Sequence, residues 1–245
     1  SAGTHIFAGC EKLTSITIPE GITEIPSNAF SGSYLEEVSI PDTVTTIGST
    51  AFAYCQNLKK VVLPEGLTTI KSSAFRQDRA LEEIQLPDSV KVIEANAFRE
   101  CSNLRSINYP MSWESAGNSI FTDCEKLTSI TIPEGITEIP SNAFSGSYLE
   151  EVSIPDTVTV IGSSAFSYCN IKEIILPEGL TTIEGSAFRN CEGIRSIRLP
   201  DSVREIGGYA FAYCSNLSSI NYPMSWESAG SSIFIGCEKL TSITI

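Results

Sequence analysis

The chain is poor in the residues that catalysis and metal binding most often need. Its 245 residues include one histidine, His5, with two methionines and two tryptophans. No Cys-x-x-Cys pair, histidine metal pair, Gly-x-Ser-x-Gly elbow or phosphate-cradling Gly-Lys-Ser/Thr loop occurs. We therefore expect a protein that is not an enzyme and that holds no metal or cofactor.

Basic residues and long apolar runs are also scarce. There are 16 Lys and Arg against 29 Asp and Glu, a formal net charge of -13. Nucleic acids and anionic membrane surfaces attract clustered Lys and Arg. A membrane helix needs about 20 consecutive apolar residues, which no stretch approaches. We expect neither a nucleic-acid partner nor direct insertion into a membrane.

Phenylalanine, in contrast, recurs with a fixed spacing of 22 or 23 residues. A period of that size is typical of a solenoid, in which each coil buries its apolar face only against its neighbours. The rings are predicted to form the structural core. They are Phe7, Phe30, Phe52, Phe75, Phe98, Phe121, Phe144, Phe166, Phe188, Phe211 and Phe234.

Each period carries the same local signals. An apolar pair such as Val61 and Leu63 alternates with outward positions, which predicts a half-buried strand. Ten of the twelve prolines follow that strand and end it, since proline has no N–H for a ladder. The next Val-x-x-Ile, as in Val90 and Ile93, predicts a short second strand. A serine before Ala-Phe, such as Ser72, predicts the N-cap of one helical turn.

The resulting unit, Leu-Pro-x-x-Val-x-x-Ile-x-x-x-Ala-Phe-x-x-Cys-x-x-Leu, resembles the BspA-like (Treponema pallidum-type) leucine-rich repeat. The match covers the whole chain, with Pro64 and its equivalents where the commoner leucine-rich pattern has Asn or Cys. The resemblance implies an α/β, β-rich fold. We expect a right-handed solenoid of about 11 coils of 22–23 residues, with a parallel sheet on the concave side and short helical turns or loops opposite.

A second, longer period lies above the first. Residues 6–55 and 120–169 differ at only five positions. The chain is therefore predicted to be a single solenoid, 1–245, made of two five-coil superunits, about 6–119 and 120–232, and a partial third copy. Because the sequence begins and ends inside repeats, we expect it to be truncated at both ends.

All the cysteines occupy one register, three residues after a phenylalanine. Ser33, Asp78 and Ser147 take the same slot in other coils, which favours buried free thiols. Disulfides between neighbouring coils, such as Cys101 to Cys124, and a metal site are the alternatives. The eight are Cys10, Cys55, Cys101, Cys124, Cys169, Cys191, Cys214 and Cys237.

Two groups of residues are candidates for ligand binding. Outward strand residues would line a polar, mildly acidic face that suits a protein or a glycan. These are Glu37, Lys60, Glu83, Gln85, Asn108, Glu151, Glu173, Arg198 and Asn221. Trp113 and Trp226 lie in one atypical coil per superunit, where they form either an exposed anchor or a repacked core.

The resemblance implies a bacterial cell-surface or secreted protein, and some members of the family are regarded as adhesins. We therefore expect a non-catalytic adhesion module that binds a host or bacterial protein or a glycan as a monomer. The alternative is a structural spacer that presents another domain. Strict copying of the repeats favours the spacer, whereas the departures from copying favour binding.

Overall fold

The computed structural model describes residues 3–108, 115–221, 223 and 225–244. It contains two compact units, Ser1–Leu127 and Thr128–Ile245. Both are built from short parallel strands, and no helix occurs among the described residues. The predicted single solenoid over the whole chain stays a prediction, and each unit is described by itself.

The second strand of each coil, at the Val-x-x-Ile position, forms the more regular sheet. The first unit has one parallel sheet of five such strands in sequence order, β1 (Glu24–Ile25), β3 (Thr46–Ile47), β5 (Thr69–Ile70), β7 (Val92–Ile93) and β9 (Ser115–Ala116). The second unit repeats it with β11 (Glu138–Ile139), β13 (Val160–Ile161), β14 (Thr182–Ile183), β16 (Glu205–Ile206) and β18 (Ser228–Ala229). The register sets isoleucine against isoleucine, as in Ile47 against Ile70.

The strand before the proline forms smaller sheets. In the first unit these are β2 (Glu37–Ser39) with β4 (Lys60–Val62), and β6 (Glu83–Ile84) with β8 (Ser106–Ile107). In the second unit they are β10 (Ser129–Thr131) with β12 (Glu151–Ser153), and β15 (Ser196–Ile197) with β17 (Ser219–Asn221) and β19 (Ser242–Thr244). Their middle residues point inward and their flanking residues outward, as the alternation predicts. We call this outer surface the strand face.

The predicted helical turns at Ala-Phe are wrong. The residue two places before each phenylalanine has a left-handed backbone, for example Asn28 (φ 58°), Thr50 (φ 53°) and Ser73 (φ 58°). A right-handed helix cannot pass through such a residue. The amides instead bond from coil to coil: Phe52 N donates to the carbonyl of Ala74 at 2.9 Å.

Stacked phenylalanine rings form the core of each unit, as predicted. Ring centroids of successive coils lie 5.2 to 5.8 Å apart within each unit, with nearly parallel planes. Phe52 and Phe188 are fully buried, whereas Phe7 and Phe234 are half-buried because the described chain covers them on fewer sides. This offset stacking contributes beyond the area it buries.

The predicted count of about 11 coils is also wrong, since the parallel strands of the two units together make about nine turns. The number of phenylalanines exceeds the number of complete turns because it includes incomplete coils. Phe7 precedes β1, the first strand of the five-stranded sheet of the first unit, and Phe234 follows β18, the last strand of the five-stranded sheet of the second unit. Neither ring therefore belongs to a coil that is closed on both sides.

Candidate functional site

Most of the predicted ligand residues lie on the strand face with exposed side chains. Glu37, Lys60, Glu83, Gln85, Glu151, Glu173 and Arg198 are all exposed. The inner residues beside most of these side chains are buried, as Val61 is, so the backbone that carries the outer side chains is well supported. The strand face can therefore present side chains to a partner without rearranging the core.

Two predicted ligand residues have a structural role instead. The Asn108 amide accepts a hydrogen bond from Leu86 N and donates one to Leu86 O, each at 2.7 Å. Asn221 makes the same pair with Leu199, at 2.6 and 2.7 Å. These amides replace ladder hydrogen bonds between neighbouring coils, which leaves them less able to bind a ligand.

Charge on the strand face differs between the duplicated units. In the first unit Glu37 lies opposite Lys60 in register. In the second unit the equivalent bridge joins Glu151 to Glu173, so two carboxylates are neighbours. Lys172 donates to Glu150, and that hydrogen bond is the main reason why the pKa of Glu150 is lowered. No ion pair neutralises Glu151 or Glu173 within the part of the chain that the structure describes.

Cavities open on the strand face of both units. In the first unit a cavity of about 340 Å³ is lined by Lys60, Val62, Glu83 and Gln85, among others. In the second unit the cavity is larger, about 670 Å³. Its lining includes Glu151, Val152, Ile154, Glu173 and Ile175. Predicted ligand residues thus come together around one cavity in each unit.

The tryptophan hypothesis is only partly covered by the structure. Trp113 lies outside the described residues. Trp226 is half-buried, and its indole nitrogen is shielded from solvent. Its N–H group on the backbone donates to the carbonyl of Pro223 at 3.3 Å. This placement is closer to a packed side chain than to an open stacking surface.

The cysteine register forms no disulfide, since all eight residues are free. The buried thiols donate to a phenylalanine carbonyl of the preceding coil, as Cys101 Sγ does to Phe75 O at 3.0 Å. Burial raises the pKa of the Cys169 thiol to about 12, so it is not a nucleophile at neutral pH. No group of three possible metal ligands occurs among the described residues.

Exposed tyrosines on the turns are a further feature, which the predicted site residues do not include. All six described tyrosines are at least 40% exposed: Tyr34, Tyr54, Tyr148, Tyr168, Tyr209 and Tyr213. Arg76 lies 6.0 Å from the centroid of Tyr54, and Arg189 lies 5.2 Å from that of Tyr213. For Tyr54, Tyr168 and Tyr213 the available signal was a tyrosine two residues after phenylalanine, a left-handed position whose side chain points away from the core.

Comparisons with solved structures identify bacterial relatives. A leucine-rich cell-surface protein of Faecalibacterium prausnitzii is 33% identical over 89% of this chain and 62% of its own length, with a TM-score of 0.63. The pneumococcal vaccine antigen PcpA is 27% identical over 91% of this chain and 59% of its own, with a TM-score of 0.63. A leucine-rich repeat protein of Bacteroides ovatus is 25% identical over 91% and 82%, with a TM-score of 0.57.

This chain therefore spans less than two thirds of the Faecalibacterium and pneumococcal proteins. No curated protein sequence is significantly similar to it. No helix among the described residues has the length and apolar character that a membrane crossing requires. The model of the BspA-type leucine-rich repeat region matches residues 1–81, 68–194 and 137–245, which together cover the chain. The protein belongs to the BspA-type leucine-rich repeat family.

Proposed function

We propose that this chain is a non-catalytic binding module of a bacterial surface or secreted protein, and that it binds a protein partner through its strand face. The observation that carries the proposal is the pair of cavities on that face, each bordered by exposed charged residues such as Glu83 and Glu173. A rigid face with free side chains and concave openings is suited to recognition.

The relatives support the location and the type of role. Two are described as a cell-surface protein and a vaccine antigen, which agrees with a chain that meets proteins outside the cell. Leucine-rich repeat proteins typically bind proteins. Adhesion to a host or bacterial protein is the form of binding that we propose, with a glycan as the competing ligand class.

The chemistry of the side chains supports a non-catalytic role. The buried thiols are held in their protonated form, as burial raises the pKa of Cys214 to about 12. The single histidine, His5, is exposed near one end of the described residues. Repeat proteins of this family are generally non-catalytic.

A structural spacer is the second candidate, favoured by the stacked phenylalanine column. The column repeats in both units with the same ring spacing, as expected of an element copied for length. A spacer needs no cavity on its strand face, whereas a binding module does.

The test is a binding screen of the chain against immobilised extracellular-matrix proteins and a glycan array. We expect a protein hit that is weakened by Glu83→Ala/Gln85→Ala or by Glu173→Ala. Glu192→Ala, at an exposed turn residue off the strand face, is the matched control. A Trp113→Ala/Trp226→Ala variant tests the tryptophan site separately.

A protein hit that survives all strand-face substitutions would contradict the strand-face assignment. Binding only to glycans would replace the proposed ligand class. No binding to either set would favour the spacer. Light scattering over a range of concentrations tests the proposed monomer, which a rising mass would contradict.

A further inference from the structure

On the strand face, two neighbouring coils of the second unit are less extensively paired than the equivalent coils of the first unit. In the first unit β2 and β4 pair over three residues. In the second unit, a single bridge, from Glu151 to Glu173, is the strand pairing that the described residues show between β12 and the next coil. The turn before this coil is shorter, since Asn170 alone separates Cys169 from Ile171, whereas Gln56 and Asn57 separate Cys55 from Leu58.

The opening exposes apolar side chains that are buried in the duplicate. Three apolar residues at the floor are half-buried, while their counterparts are at most 7% exposed. The half-buried residues are Val152, Ile154 and Ile174, and the buried counterparts are Val38, Ile40 and Val61. Ile175 at the edge is 86% exposed, against 47% for its counterpart Val62. Exposed apolar surface of this kind marks interaction sites.

Val152, Ile154 and Ile175 border the cavity of about 670 Å³, which we call the acidic groove. Its rim carries Glu151 and Glu173 side by side, and neither forms an ion pair among the described residues. Lys172, which also lines the cavity, is engaged by Glu150. A basic partner relieves the repulsion between the two carboxylates, whereas an acidic one adds to it. The formal net charge of -13 also attracts basic partners over longer distances.

We propose that the acidic groove binds an extended polypeptide segment in which an aliphatic or aromatic side chain is flanked by lysine or arginine. The apolar side chain covers Val152, Ile154 and Ile175, and the flanking cations pair with Glu151 and Glu173. This inference rests on the proposed function, because it names the partner chemistry of the strand face.

The test uses the whole chain and a fluorescent seven-residue peptide, Gly-Ser-Lys-Phe-Lys-Ser-Gly, titrated by anisotropy at low and high salt. Matched peptides replace both lysines by glutamate, or phenylalanine by serine. We expect saturable binding of the Lys-Phe-Lys peptide alone. Its affinity falls as salt rises, because salt screens exposed charges.

Substitutions locate the binding. Ile175→Ser removes an exposed apolar side chain without opening the core, and Glu173→Lys installs the residue found at the equivalent position, Lys60. Each is expected to weaken binding at least tenfold. Ile235→Ser and Glu192→Lys, the same changes at exposed turn residues off the strand face, are the controls and leave binding unchanged. Circular dichroism and the unfolding midpoint verify that each variant is folded.

Absence of saturable binding by the Lys-Phe-Lys peptide would overturn the proposal. So would binding that the groove variants do not change, or equal binding of the glutamate peptide. If the protein screen yields a partner that is insensitive to Ile175→Ser and Glu173→Lys, the proposed function stands and the acidic groove fails. Peptide binding in the groove without any screen hit would support the groove and leave the adhesion role contradicted.

Discussion

Asp78 Oδ1 accepts a hydrogen bond from the backbone N–H of Cys55 in the preceding coil, at 2.8 Å. The carboxyl group occupies the cysteine register and is fully buried. Its second oxygen, Oδ2, has no hydrogen-bond partner among the described residues. An ionised carboxylate in this place has lost its hydration and gained a single amide in return.

Asp78 is expected to make the folded chain less stable as pH rises. Burial is the main reason why its pKa is raised well above the ordinary value of about 4, and the Cys55 amide opposes this only in part. A group whose folded pKa is raised binds its proton more tightly when folded. The contribution of Asp78 to the free energy of unfolding is therefore intact below pH about 4. It is lost as the pH rises towards the pKa of Asp78 in the folded chain.

Asp78→Cys restores the residue found in neighbouring coils, whose thiols donate to a phenylalanine carbonyl. We expect this variant to gain about 1–3 kcal/mol in the free energy of unfolding at pH 8. The gain should shrink as pH falls to 4.5. Urea unfolding under reducing conditions measures it, with exposed Asp156→Ser as the control. A gain that does not change with pH would contradict a buried, protonated carboxyl.

The phenylalanine column is expected to dominate stability. Phe98 is fully buried and stacks on Phe75 and Phe121, at 5.3 and 5.7 Å. Phe98→Ala should therefore cost about 3–5 kcal/mol in urea unfolding. Phe7→Ala, at the half-buried end of the column, should cost much less. Equal losses of unfolding free energy in the two variants would show that burial within the phenylalanine column does not determine the size of the loss.

Thr50 holds an unfavourable backbone conformation. Its φ of 53° is left-handed, which a β-branched residue rarely adopts and asparagine tolerates better. Asn28 and Asn142 hold the equivalent position in other coils. Thr50→Asn is expected to raise the free energy of unfolding by about 1 kcal/mol. Thr14→Asn, at an exposed position without a left-handed φ, should give no gain, and an equal gain there would refute the backbone explanation.

Thiol reactivity should separate the cysteines by burial. Cys10 and Cys237 are half-buried, whereas the other six are buried. Because the thiolate is the reactive form and burial raises the pKa of Cys55 to about 12, buried thiols should stay unmodified. A colorimetric thiol reagent at pH 8 should titrate two thiols in the native chain and eight in urea. Rapid reaction of more than two native thiols would contradict this packing.

The sequence predicts the periodic parts of the structure well. The steps between phenylalanines, the prolines after each strand and the alternation around Val61 follow from physical constraints that every coil shares. The same alternation predicts an outward side chain at Ile175, which is 86% exposed. Such features repeat, so each copy reinforces the same assignment.

Features that depend on backbone conformation were not predictable from the pattern. The serine before Ala-Phe has the composition of a helix cap, but the following residue, Ser73 for example, is left-handed and excludes the helix. The acidic groove also escapes the pattern, since Val152 has the same inward position as Val38 yet is half-buried. The turn before the next coil is one residue shorter than in the first unit, and its effect on strand pairing depends on backbone geometry that residue types do not specify.

The most direct test of the account is amide hydrogen exchange of the whole chain, with and without the Lys-Phe-Lys peptide. In the free chain, residues 173–175 should exchange faster than 60–62, because β4 pairs with β2 over three residues whereas the equivalent coil of the second unit has a single bridge, Glu151 to Glu173. The peptide should then protect residues 150–176. Protection confined to the tyrosine-bearing turns, or none at saturating peptide, would contradict binding in the acidic groove.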